Sequence, residues 1–303
     1  MSAMQDSAGL FPIRTVSDIT GVNSVTLRAW ERRYGLIKPL RTDKGHRRYT
    51  KNGNETIQHI LDLIDEGIPI SRVRAVIEQS RDTTVAAQSP DEIWEPHIEG
   101  IISAITQFDE NGVERIYNEV LSLYPVDVVT RKLILPLLQK LGNRWASGEG
   151  SVAEEHFFGV YLRNKLGARF HHRQKFNNGP KIVAACLPGE LHEVGLLLFA
   201  LAAHERGFQI VLLGANMPIE EIPHVVHKTG ADAVALSGSV GQPDNALFEQ
   251  VHNLATATEV PVFIGGRTAI EYSEQFKQQH AIVAGDDLVA GLKLIRNTLS
   301  KSQ

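Results

Sequence analysis

The sequence predicts a multidomain α and α/β chain: a winged helix-turn-helix head, a four-helix bundle and a doubly wound parallel sheet. Three observations predict it. Residues 1–51 hold 10 Lys/Arg against 4 Asp/Glu, whereas residues 52–303 hold 21 against 31, so a basic head sits on an acidic body. Apolar residues then recur at helical spacing through the middle of the chain. From Lys181 onward, short apolar runs alternate with helical segments. The expected boundaries are 1–80 for the head, 81–90 for a linker, 91–178 for the bundle and 179–303 for the sheet domain.

The composition excludes several classes. A chain of 303 residues, 43% hydrophobic and 22% charged, is ordinary globular material for two or three domains. A lone cysteine, Cys186, rules out a disulfide scaffold or a cysteine-built metal cluster and fits a reducing cytoplasm. The longest apolar run, Val194 to Ala203, is too short to span a bilayer. The N-terminal residues lack a basic segment followed by an apolar core, so no secretory signal is expected.

Thr15 to Thr20 reads as a short helix with Thr15 as its N-cap. Gly21-Val22-Asn23 makes a turn, and a second helix runs from about Ser24 to Tyr34. Val25, Leu27 and Trp30 are expected to face inward, and Arg28, Arg32 and Arg33 outward. This is the arrangement whose second helix enters a major groove. Gly45 permits a hairpin tip, followed by the strand-like Arg47-Arg48-Tyr49. A third helix from Lys51 carries the stripe Ile57, Ile60, Leu61 and Ile64, and a short helix from Ser71 carries Val73, Val76 and Ile77.

The run Val25-Thr26-Leu27-Arg28-Ala29-Trp30-Glu31-Arg32-Arg33-Tyr34-Gly35-Leu36-Ile37-Lys38-Pro39, with Arg41 and Gly45-His46-Arg47-Arg48-Tyr49, resembles the DNA-binding head of MerR-family regulators over about residues 11–80. The resemblance implies binding of double-stranded operator DNA. The expected contact residues are Arg14, Thr26, Arg28, Arg32, Arg33, Tyr34, Arg41, His46, Arg47, Arg48 and Tyr49. Basic wing residues would grip phosphates, giving affinity and salt dependence rather than sequence information.

Residues 81–90 read as a flexible tether. Four helices follow: one marked by Ile98, Ile101, Ile102, Ile105 and Phe108, then Val113–Leu123, Val126–Trp145 and Val152–Phe170, with Leu135-Pro136 expected to kink or restart the third. Trp145 precedes Glu155-His156 across a Gly148-to-Ser151 break. On the residues alone this set reads as a core Trp and a core His, or as a pocket lining.

In the C-terminal part, five apolar runs are expected as strands: 182–186, 210–213, 233–236, 260–264 and 281–284. Helices are expected at about 192–207, from 219, at 245–258, at 269–279 and from 286. Near-continuous apolar strands joined by helices mean a parallel sheet covered on both faces, with ligands beyond the carboxyl ends of the strands. Glu190 to Gly195, Ser237-Gly238-Ser239 and Gly265-Gly266 fall at those ends.

This pattern resembles the flavodoxin-like cobalamin-binding domain of methionine synthase, the mutases and related corrinoid proteins. It departs at Glu190, where the usual acid is Asp, and at Ser239, where an apolar residue is more frequent. The resemblance implies that His192 ligates cobalt, that Glu190 holds the other ring nitrogen, and that Gly195, Ser237, Ser239, Gly265 and Gly266 admit the displaced nucleotide tail. A neutral imidazole suits cobalt, and a carboxylate behind it fixes the tautomer.

Taken together, the chain resembles the cobalamin-dependent photoreceptor repressors of the MerR family, the CarH/LitR type. That resemblance implies that Trp145, Val152, Glu155 and His156 cap the adenosyl face of adenosylcobalamin. It also implies a dark oligomer, dimer or tetramer, that binds DNA and falls apart when light cleaves the Co–C bond. It implies a non-enzymatic, cytoplasmic protein. Its second histidine, directly after the Trp, is here Ala146. The rival readings are a sensor of cobalamin abundance, a regulator independent of the cofactor, and a corrinoid methyl carrier.

Overall fold

The computed structural model describes residues 10–79, 90–171, 178–239 and 242–301, which divide into two compact units between Phe158 and Gly159. The expected linker, apart from Pro90, lies outside the described residues.

The first unit begins with β1 (Phe11–Pro12), α1 (Ile13–Thr20) and α2 (Ser24–Ala29), which continues into a π-turn at Trp30–Tyr34. Then come β2 (Leu40–Arg41), β3 (Arg47–Tyr49), α3 (Lys51–Asp65) and α4 (Ile70–Gln79). The strands form an antiparallel sheet in the order β1-β3-β2, the wing. Thr15 does not cap α1; Pro12 occupies that position and its fixed φ leads the chain in. Asn23 caps α2, its Oδ1 accepting from the Val25 and Thr26 amides at 2.9 and 2.8 Å. Val16, Val22, Leu27, Trp30, Ile57, Ile60 and Ile64 form the core of the head. Two inward assignments are corrected. Leu63, not Leu61, completes the α3 stripe, and Val25 faces outward at 59% exposure. Helix α4 begins at Ile70, one residue before Ser71.

The bundle comprises α5 (Pro90–Thr106), α6 (Glu110–Leu123), α7 (Val126–Val129) running through a π-turn at Thr130–Ile134 into α8 (Leu135–Ala146), and α9 (Val152–His171), which crosses into the second unit. The restart expected at Leu135-Pro136 is there. Pro136 sits in the first turn of α8, and the widened turn before it absorbs the missing hydrogen bond and the ring clash. Ile98, Ile101 and Ile105 are buried, with Val113, Val120, Leu133, Leu137 and Leu141 opposite them in the bundle core. Phe108 does not belong to the α5 stripe. It lies past the helix end at φ +53°, exposed, edge-on to Phe157 at 5.5 Å.

Head and bundle are joined in this unit through α2. Thr26 Oγ1 donates to the Leu121 carbonyl at 3.3 Å and Trp30 Nε1 to the Leu123 carbonyl at 2.8 Å. Both acceptors lie in the last turn of α6, where carbonyls have no partner within the helix. Arg131 on the bundle pairs with Asp65 of α3 at 3.0 Å.

The second unit holds β4 (Lys181–Cys186), α10 (Val194–Glu205), β5 (Gln209–Gly214), a 3₁₀ turn (Ile219–Glu221) leading into α11 (Ile222–Thr229), and β6 (Ala233–Ser237). Helix α12 (Asn245–Ala257), β7 (Val262–Gly265), α13 (Arg267–Glu271), α14 (Ser273–Gln278), β8 (Ile282–Gly285) and α15 (Leu288–Lys301) follow. All five strands are parallel, in the order β5-β4-β6-β7-β8. Alternate residues feed two cores. Val183, Ala185, Val234, Leu236, Val262 and Ile264 pack with Val251, Leu254 and Phe276. Ile182, Ala233, Ala235 and Phe263 pack with Phe208, Leu292 and Ile295. Several boundaries differ from expectation, most by one or two residues. Helix α10 starts at Val194 rather than His192, and β7 starts after Pro261, which has no N–H to give a ladder. The segment expected as one helix over 269–279 is broken at Tyr272. Among the described residues no helix is long and apolar enough to cross a membrane.

Candidate functional site

In a sheet of this order the direction of winding reverses between the paired strands β4 and β6, and the chain leaves their carboxyl ends in opposite directions. The three segments singled out in the sequence meet there. Cys186 lies beside Ser237, and Ser237 beside Gly265.

Glu190 is the centre of this rim. Its side chain is almost wholly buried and accepts four hydrogen bonds. Oε1 takes the His192 amide at 2.7 Å and lies 2.8 Å from His192 Nδ1; Oε2 takes the Ser239 amide at 2.6 Å and the Ser239 hydroxyl at 2.8 Å. Burial pushes its pKa up, but the donors from His192 and Ser239 outweigh burial and hold it at about 2. A carboxylate this firmly ionised fixes the proton on Nδ1, which leaves the lone pair of His192 on Nε2. The ring itself is 43% exposed. Ser239, a departure from the familiar pattern, thus has a structural partner in Glu190, the other departure.

The glycines supply room. A Cβ on Gly195 would meet only Ser237 Oγ at 3.9 Å, so the first turn of α10 faces open space toward β6. Gly266 stands at φ +93°, and a Cβ there would fall 2.3 Å from the Gly238 carbonyl. Only glycine allows that approach of the β6 and β7 loops. An imidazole with an oriented Nε2, backed by a buried carboxylate and beside the open space at Gly195, fits the axial ligation of a corrinoid.

Two supporting residues escaped the sequence reading. Asn216, at φ +48°, donates its amide to the Glu190 carbonyl at 2.9 Å and accepts the Gly189 amide on Oδ1 at 2.8 Å. It staples the ligand loop to the end of β5. Gly285, at φ +75°, accepts the Gly266 amide at 2.9 Å. The sequence signal for Asn216 was an Asn just beyond a strand end, a residue type that tolerates left-handed backbone.

Cys186, at the end of β4, is fully buried. Burial, then the charges of Glu190 and Glu193, pushes its thiol up to about 12. Native protein is therefore expected to resist iodoacetamide at pH 8 and to take one carboxamidomethyl group only after unfolding, as intact mass will read. Labelling of the folded chain would contradict this burial.

In the first unit, Trp145 lies in the last turn of α8 and Val152 opens α9, both about half exposed, with Glu155 partly buried and His156 exposed one turn on. Neither Trp145 nor His156 is a core residue, so that reading of the pair is set aside. Ala146 beside them is also exposed.

Of the expected DNA contacts, Arg14, Arg28, Arg32, Arg33, Arg41 and His46 are exposed and Tyr34, Arg47 and Arg48 partly so. Thr26 and Tyr49 are buried, Thr26 against α6. Glu31 clamps the wing, accepting from Arg41 at 2.9 Å and pairing with Arg47. The sequence reading had left Glu31 without a role.

The comparisons agree with this layout. Residues 11–80 match the MerR HTH family regulatory proteins, and residues 97–169 and 180–292 each match a B12 binding domain. The chain is 31% identical to the HTH-type transcriptional repressor CarH of Myxococcus xanthus, over 86% of this chain and 89% of that one. It is 27% identical to the HTH-type transcriptional repressor CarA of the same organism, over 95% and 98%. The monomethylamine corrinoid protein of Methanosarcina barkeri, 18% identical, shares the fold over 67% of this chain and 99% of its own, with a TM-score of 0.55. The chain belongs to the cobalamin-binding, MerR-type transcriptional regulators, the family of CarH and CarA.

Proposed function

We propose that the protein is a light-responsive repressor in the cytoplasm, which holds operator DNA in the dark as an adenosylcobalamin-bound oligomer and releases it in light. The observation that carries the cofactor half of this reading is the buried Glu190 carboxylate behind His192. His192 would bind cobalt through Nε2, with Glu190 fixing its tautomer. Gly195, Ser237, Ser239, Gly265 and Gly266 would line the slot for the nucleotide tail. When bound, adenosylcobalamin supplies a cobalt–carbon bond that visible light breaks.

Trp145, Val152, Glu155 and His156 are assigned to the adenosyl side, as the family resemblance implies; an indole left half exposed at a helix end supports it. Residues 1–80 would serve as the DNA head, 91–178 as the bundle and 179–303 as the cobalamin domain. Several heads on one operator multiply a weak single-head affinity. The names of the repressors CarH and CarA support the direction of control.

Ala146 favours a second reading, a sensor of cobalamin abundance, because it offers no imidazole where the photoreceptor pattern has one. One experiment separates the two. Full-length protein is loaded with adenosylcobalamin in the dark, then run by size exclusion before and after green illumination, with absorption recorded across the peak. The light reading expects bound cofactor in both runs, with a larger species in the dark. Bound cofactor with identical elution leaves abundance sensing in its place, and a colourless peak removes both.

A further inference from the structure

We propose that Val25 reads a thymine through its C5 methyl group, on a base-reading face of α2 shared with Arg28 and Arg32. The inference rests on the head's binding of DNA and goes further by assigning which side of the recognition helix faces the bases. One side of this helix is already committed. Leu27 fills the core of the head, and Thr26 and Trp30 donate to the Leu121 and Leu123 carbonyls of α6. Val25, Arg28 and Ala29 stand at spacings of three and four, which places them together on the other side, and Arg32 follows in the π-turn that continues the helix. Val25, Arg28 and Arg32 are exposed and Ala29 partly so.

An isopropyl group 59% exposed in the first turn contributes nothing to the core. It is held firmly all the same. Asn23 takes the Val25 amide at 2.9 Å, and a β-branched side chain in a helix has essentially one χ1 setting. The N-terminal residues of a recognition helix are those that reach base edges. Thymine alone among the bases presents an apolar group in the major groove, and guanine takes a guanidinium on O6 and N7. A rigid apolar tip one turn before Arg28 therefore matches a thymine next to guanine.

The test removes one methyl group at a time from the DNA. Duplexes are selected from a random pool by the full-length protein loaded with adenosylcobalamin in the dark. The best duplex is then resynthesised with deoxyuridine at each thymine in turn. Wild-type affinity is expected to fall about fourfold at one position per half-site, the value of one buried methyl. In Val25→Ala the same deoxyuridine is expected to change affinity less than twofold. If no deoxyuridine weakens the wild type, or if Val25→Ala shows the same dependence, the assignment is overturned. A selection that enriches no duplex overturns DNA binding itself, and the assignment with it.

Discussion

Cobalamin binding is expected to fall by roughly 10–100-fold when Glu190 is replaced by Gln, the usual cost of losing the partner behind a metal-ligating histidine. The reason lies in the donor count. Both carboxylate oxygens meet only donors: the amide and ring of His192 on one side, the amide and hydroxyl of Ser239 on the other. An amide has one oxygen and one NH₂, so whichever way it turns, its NH₂ meets a backbone N–H. The loop between β4 and α10 must then open or leave a buried donor unpaired, at about 1–3 kcal/mol. The ring of His192 loses the acceptor that fixed its tautomer. His192→Ala, which removes the proposed ligand but leaves Ser239 on Glu190, is expected to weaken binding still more with a smaller loss of stability. Titration followed by cobalamin absorption in the dark, beside denaturant unfolding without cofactor, reads the two effects separately. If Glu190→Gln lost stability but kept full affinity, the carboxylate would be a loop staple and no partner of the metal ligand.

The elements most legible in the sequence were those whose pattern is local. The five strands of the second unit could be read because each is short, apolar and bounded by turn residues. The rim residues could be read because strand order brings consecutive carboxyl ends together. What could not be read depends on partners far along the chain. Spacing alone shows that α2 is amphipathic but not which face the bundle takes, and so Val25 was turned inward and Thr26 outward. The carbonyls of Leu121 and Leu123 decide the matter from about 95 residues away. Phe108 continued the period of α5 in the sequence, yet its own positive φ ends the helix before it. Ser239 looked like an irregularity in the pattern until the buried Glu190 supplied the reason for a hydroxyl there.

Hydrogen exchange is expected to show that Trp30 ties head to bundle. The indole fills the core of the head and also reaches out of it, so one residue serves two packing surfaces. Trp30→Phe keeps a six-membered ring in the core and removes the N–H that Leu123 accepts, with a smaller loss of packing than alanine causes. A part-buried carbonyl is then left without its donor, which costs up to about 1–3 kcal/mol. Trp30→Ala adds a cavity and should cost roughly 3–5 kcal/mol. In the Phe variant the loss should appear locally. Amides of α2 and of the last turn of α6 should open more readily by that amount. Those of α8, whose core residues Leu137 and Leu141 lie elsewhere in the bundle, should keep their protection. Unchanged protection in α2 would mean that the indole bond holds nothing. Loss of the same size in α2 and α8 would mean that head and bundle open only as one body. A local loss makes α2 the place where two demands meet: any shift of the α6 carbonyls bears directly on the helix that carries Arg28 and Arg32, so a change felt in the bundle reaches the DNA-binding face through two hydrogen bonds.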